Sequence, residues 1–107
     1  MLGFLKKLFT GGPSADIAAL LSEGAVVLDV RSKGEYNSGH VKGAVHIPLN
    51  LVNTPAKLKQ IKAFKKPVVT CCASGRRSGI AANLLSAKGI EAYNGGAWTT
   101  VRAKKGR

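Results

Sequence analysis

One short stretch carries most of the chain's chemical options: Cys72-Ala73-Ser74-Gly75-Arg76-Arg77-Ser78. A thiol attacks only as its thiolate. Its pKa of about 8.5 falls toward or below neutrality beside cationic side chains or at a helix N-terminus. This stretch offers both. The β-branched run Val68-Val69-Thr70 leads in, and the helix-like run Ile80-Ala81-Ala82-Asn83-Leu84-Leu85 leads out. A strand, a Gly-bearing turn and a helix start aim several backbone N–H groups at one point. The helix dipole adds about half a positive charge there. Arg76 and Arg77 adjoin it in sequence. The loop reads as an anion cradle around a nucleophilic sulfur on Cys72. A free cysteine is more commonly a small buried hydrophobe, but paired arginines and a Ser-Gly turn are poor company for a core residue.

The elements that must position this loop alternate. Ser14 is expected to cap a helix starting at Ala15 or Asp16, with Ile17, Leu20 and Leu21 inward and Gly24 ending it. Residues 25–30 form an apolar, β-branched run interrupted only by Asp29, as in a strand buried on both faces of a parallel sheet. Asp29 and Arg31 then fall at its carboxyl end, where open α/β sheets bind ligands. Ser32 and Glu35 fit a capping box over a short helix at 32–37. Turns follow at 38–40 and Gly43, and a brief strand at 44–47 stops at Pro48. Asn53 or Thr54 is expected to cap a helix through Phe64, with Pro55 in its first turn and Leu58, Ile61 and Phe64 inward. Pro67 opens the strand at 68–71. A helix at 76–88 is expected to bury Ile80, Leu84 and Ala87 and to end at Gly89. Residues 90–93 form a last strand, Asn94-Gly95-Gly96 a turn, and 97–103 a final helix with Trp98 on the core. There is no internal repeat. Strands alternating with helices predict a small α/β domain with a largely parallel sheet.

The totals fit one domain: 107 residues, 45% of them hydrophobic. No stretch approaches the roughly 18 apolar residues of a membrane span. The charge of +12, seventeen Lys and Arg against five Asp and Glu, favours anions of many kinds. Specific nucleic-acid binding is not expected, because zinc ligands, a recognition helix and an aromatic stripe are all missing. The lysines at 57, 59, 62, 65 and 66 and the basic tail read either as a plain solvated face or, more sharply, as a surface that steers anionic substrates or acidic protein partners. Adjacent Cys71 and Cys72 cannot staple distant segments, so a reducing, cytoplasmic setting is expected. His40 and His46 lack a cysteine or carboxylate cluster, and no metal site is expected. His40 reads as a turn residue and His46 as a strand residue. Residues 1–12 are apolar and basic, without the h-region or cleavage site of a signal peptide. A frayed or packed terminus is expected there, rather than membrane contact. The domain is expected at 13–104, with a basic tail at 105–107, and as a monomer.

The order of motifs resembles the rhodanese family in its single-domain form. Val26-Val27-Leu28-Asp29-Val30-Arg31 resembles the family's leading strand with Asp-Val-Arg. Residues 35–44, Glu-Tyr-Asn-Ser-Gly-His-Val-Lys-Gly-Ala, resemble its Glu-Tyr…Gly-His…Gly-Ala segment. The loop from Cys72 to Ser78 resembles its Cys-x-Ser-Gly-x-Arg-Ser active loop, and Gly95-Gly96 with Trp98 its closing Gly-Gly…Trp. The resemblance implies a three-layer sandwich: about five strands, largely parallel, with helices on both faces. It implies a sulfurtransferase without a resident cofactor. Cys72 would take sulfane sulfur from a small anionic donor such as thiosulfate as a transient persulfide. It would pass it to cyanide, a thiol or a protein acceptor. Backbone N–H groups of Ala73, Ser74, Gly75, Arg76, Arg77 and Ser78 would surround the sulfur, and the Arg76 and Arg77 side chains would attract the anionic donor. Asp29 and Arg31 would brace the loop, with Glu35 and His40 in supporting positions. Two features depart from the usual pattern. Cys71 stands where an aromatic or aliphatic residue is usual, and Trp98 follows Gly96 closely, which bears on the last helix.

Two other functions fit the same residues. Counted from Cys72, Arg77 gives Cys-x4-Arg, the shorter sulfurtransferase loop. Counted from Cys71 it gives Cys-x5-Arg-Ser, the phosphatase or arsenate-reductase loop. Strand alternation puts the two cysteines on opposite faces, and Ser74 and Gly75 match only the count from Cys72. A non-catalytic or sulfur-carrying module that docks a partner is the other reading.

Overall fold

The computed structural model describes residues 16–106. The expected Ser14 cap and the N-terminal segment lie outside them. Helix α1 (Ile17–Ser22) is capped instead by Asp16, whose Oδ1 accepts from the Ala19 N–H at 3.0 Å. Four strands follow in alternation with helices: β1 (Val26–Asp29), β2 (Val45–His46), β3 (Val68–Cys72) and β4 (Ala92–Ala97). All pairings are parallel, in the order β2-β1-β3-β4. About five strands were expected; four are present among the described residues. The chain leaves β1 for β2 on one side and returns to β3 on the other, so the topological switch lies between β1 and β3. The carboxyl ends at a switch point open a crevice. Asp29 pairs in register with Cys71 there.

The helices are α2 (Lys33–Ser38), α3 (Leu49–Val52), α4 (Pro55–Lys62), α5 (Arg76–Ala87) and α6 (Trp98–Lys105). Alternation along the strands divides the core in two. Leu28, Val68 and Cys72 face Val52, Ile61, Ala81, Ala82 and Leu85 of α3, α4 and α5. Val27, Val69 and Cys71 face Ile17, Leu20, Leu21 and Val101 of α1 and α6. The result is the three-layer α/β sandwich. The capping box on Ser32 and Glu35 is formed as expected.

Three local expectations need correction. The turn α3 was not expected at all. In α5 the buried residues are Ser78, Ala81, Ala82 and Leu85, while Ile80 is 49% exposed. The face is rotated from the expected Ile80, Leu84 and Ala87 because small residues let α5 lie close to the sheet. Asn94-Gly95-Gly96 is part of β4 rather than a turn after it. A Cβ on Gly95 would stand 2.7 Å from both Val69 Cγ1 and Val101 Cγ2, and 2.8 Å from the Thr70 carbonyl oxygen. The glycine is there for close approach inside the sheet. Gly96, at φ +88°, makes a bulge: β4 uses four residues, 94–97, where β3 uses three, 70–72.

Candidate active site

Cys72 ends β3, and the chain curls through Ala73 and Ser74 into α5. Gly75, the N-cap, sits at φ +101°, a left-handed conformation that suits glycine. A Cβ on it would lie 3.3 Å from Gly96 Cα. The curl brings main chain onto the sulfur. The Gly75 N–H donates to Cys72 Sγ at 3.0 Å and the Ser78 N–H at 3.3 Å, with Ser78 Oγ at 3.4 Å. Cys72 is fully buried; Ala73, Ser74 and Arg76 are exposed around it. Burial pushes the Cys72 thiol up. Once the sulfur is charged, hydrogen bonds from the Ser78 hydroxyl and N–H and from the N–H groups of Gly75 and Ser74 outweigh it, so the net shift is downward.

Cys71 has the opposite fate. It points to the other face of the sheet, among Val69, Tyr93 and Val101. Burial, helped by the Asp29 charge, pushes its thiol up to about 12. The structure therefore puts one thiol under the amides and keeps its neighbour protonated in the core.

Arg77 turns from the sulfur's loop toward α2. Its Nη1 and Nη2 donate to Glu35 Oε1 and Oε2 at 2.8 and 3.0 Å, a bidentate fork. Glu35 also accepts from the Ser32 N–H and hydroxyl. The Arg77 fork, then the Ser32 bonds, hold its carboxyl at about 2 against an ordinary 4.5. Asp29 and Arg31 form a buried pair, Nη2 to Oδ2 at 2.8 Å. They serve the neighbouring turn rather than the loop itself: Arg31 Nη2 donates to the Gly39 carbonyl at 2.6 Å. The Arg31 guanidinium also lies 4.8 Å from the Trp98 ring centre, and that of Arg102 lies 4.7 Å away. His40 stabilises its turn as expected, with Nδ1 2.8 Å from the Tyr36 carbonyl and its ring stacked 3.7 Å from Tyr36. His46 lies in β2 with Nε2 2.7 Å from the Arg31 carbonyl.

Two residues that hold the loop were not singled out from sequence. Thr70, buried beneath α5, donates its hydroxyl to the Ser78 carbonyl at 2.8 Å. Asn94 accepts from the Ser78 hydroxyl at 2.7 Å, and its Nδ2 donates to the Gly75 carbonyl at 3.0 Å. Asn94 precedes two glycines, and that spacing signals a turn, not a clamp.

The sequence profile of the Rhodanese-like domain matches residues 14–99. The thiosulfate sulfurtransferase GlpE of Pseudomonas fluorescens (strain SBW25) is 35% identical over 78 residues, which span 73% of this chain and 69% of that protein. A rhodanese with anions from E. coli superposes with a TM-score of 0.58 at 30% identity, covering 72% of this chain and 91% of that one. A rhodanese-related protein from Thermoplasma volcanium does so with a TM-score of 0.65 at 27% identity, covering 83% and 89%. Profile, relatives and architecture agree, and the chain belongs to the rhodanese-like domain family.

Proposed function

We propose that the protein is a sulfurtransferase in which Cys72 carries the sulfur. The observation that supports this most is the pair of N–H groups, from Gly75 and Ser78, on the Cys72 sulfur. They favour a charged sulfur there whether it is thiolate or persulfide. The Cys72 thiolate attacks the outer sulfur of a donor such as thiosulfate. A bond forms between Sγ and that sulfur, and the donor's S–S bond breaks. Its electron pair leaves with sulfite, and Cys72 becomes a persulfide anion. A thiolate, cyanide or a protein acceptor then attacks the outer sulfur and restores the Cys72 thiolate. Each half is a two-electron displacement, and the covalent intermediate implies ping-pong kinetics.

Arg76, exposed at the rim, attracts the anionic donor. Arg77 belongs to the frame through Glu35. The reading needs no resident cofactor or metal, and it suits a reducing compartment such as the cytoplasm. Among the described residues, no helix is long and apolar enough to cross a membrane. The phosphatase count from Cys71 is disfavoured, because that thiol is buried on the opposite face with its pKa pushed up to about 12.

Thiosulfate:cyanide turnover by Cys71→Ser and Cys72→Ser tests the assignment. Cys72→Ser loses activity by at least about a thousandfold, while Cys71→Ser retains most of it. The reverse pattern assigns the chemistry to Cys71 and ends the sulfur-transfer account.

A further inference from the structure

The contacts of Asn94 fix its orientation. Its Nδ2 lies 3.0 Å from the Gly75 carbonyl, which only accepts, and its Oδ1 lies 2.9 Å from the Gly96 N–H, which only donates. Oδ1 is thus an acceptor toward Ser78 Oγ, 2.7 Å away. The single hydroxyl proton of Ser78 therefore points at Asn94. Ser78 Oγ turns lone pairs toward Cys72 Sγ, 3.4 Å off. Such an arrangement suits a thiol donating to oxygen; a thiolate wants that proton for itself.

The fold makes room for this contact at two glycines. The bulge at Gly96 re-aims β4 beside the loop. Gly79 stands inside α5, and a Cβ there would come 3.1 Å from Asn94 Nδ2. Glycine inside a helix is less stable than alanine, so α5 gives up stability where Asn94 passes.

We propose that Asn94 is a positioning residue that competes with the Cys72 sulfur for the Ser78 hydroxyl proton, and so sets how readily the nucleophile ionises. When the sulfur is neutral, Asn94 holds the proton. When it becomes charged, the hydroxyl rotates to donate to sulfur. Asn94, exposed at the edge of the loop, keeps the Gly96 N–H on Oδ1, so its acceptor is not left unpaired by the rotation. The other groups that act on Cys72 are few. Arg77 of α5, held by Glu35 of α2, favours its charge, and Cys71 stays neutral. Thr70 fixes the Ser78 main chain but cannot supply the proton, which goes to the Ser78 carbonyl.

This inference rests on Cys72 being the nucleophile, but its test needs no turnover. The thiolate is titrated by absorbance near 240 nm and by the pH profile of iodoacetamide alkylation, with the label located by tandem mass spectrometry. Asn94→Ala frees the hydroxyl and raises the thiolate fraction below the pKa by about threefold, half a pH unit. In a Ser78→Ala background the same substitution leaves the pKa unmoved, because there is no proton to compete for. Should Asn94→Ala not fold, the near-isosteric Asn94→Asp gives a second reading. Its carboxylate grips the proton harder and lowers the thiolate fraction, and the effect shrinks in Ser78→Ala. Equal shifts in both backgrounds, or a raised pKa in Asn94→Ala, overturn the proposal. Normal titration of Cys72 without sulfur transfer counts instead against the sulfurtransferase reading alone.

Discussion

Glu35 closes the capping box of α2 and grips Arg77, 42 residues further along the chain. The first role follows from the spacing Ser32-x-x-Glu35; the second depends on β1 and β3 lying side by side, which no local pattern reports. The fork is half in solvent, with side-chain exposures of 35% and 38%, so it contributes about 0.2–1 kcal/mol. Its pH dependence has a definite sign. The carboxyl lies lower in the folded chain than its ordinary 4.5, at about 2. The contribution is therefore whole above pH 4.5 and disappears as pH falls through 2. Urea denaturation should show Glu35→Gln less stable than wild type by that amount at pH 6. The gap should close near pH 2. A gap of the same size at both pH values would show that the lost stability is not electrostatic. The loop around Cys72 was legible at this scale because cysteine, glycine and arginine each do chemistry that few others do. Asn94 was not, because an asparagine before glycines has a simpler meaning.

Two of the three differences among the elements share one cause: reading a residue's type for its commonest use. Gly95-Gly96 signals a turn, yet Gly95 sits in a strand because Val69, Val101 and the Thr70 carbonyl leave no space for a Cβ. Gly95→Ala should therefore destabilise the domain by about 1–3 kcal/mol, as overpacking does. Equilibrium denaturation measures this, and a change below about 0.5 kcal/mol, the range of ordinary surface changes, would place Gly95 in a turn after all. In α5 the same habit favoured Ile80 and Leu84 over Ala81 and Ala82. The buried stripe follows the small residues, since the loop draws the helix start close to β3. Strands β1 and β3 were legible because they open on apolar, β-branched residues, 26–28 and 68–69, which both faces of a covered parallel sheet favour.

Across the whole molecule, alternation of strands and helices predicted an α/β domain, and the parallel sheet with helices on both faces bears this out. The place of the candidate site is topological: β1 and β3 adjoin at the switch, and their carboxyl ends carry Asp29 and Cys72. The basic surface adds a long-range effect. With a charge of +12, the protein should draw in a dianion such as thiosulfate faster at low salt. Its kcat/KM for thiosulfate should fall severalfold between about 10 and 300 mM KCl, as the Debye length shrinks from about 30 Å to below 8 Å. An unchanged kcat/KM would mean that the positive charges lie too far from the entrance to matter.

The claim on which everything else rests is that Cys72 holds sulfur. Incubation of the reduced wild-type protein with thiosulfate, followed by tandem mass spectrometry, addresses it directly. A single added mass of about 32 Da, one sulfur atom, located on Cys72 and removed by cyanide, is the predicted result. The same mass on Cys71, or no addition under conditions where Cys72 still alkylates, would contradict it.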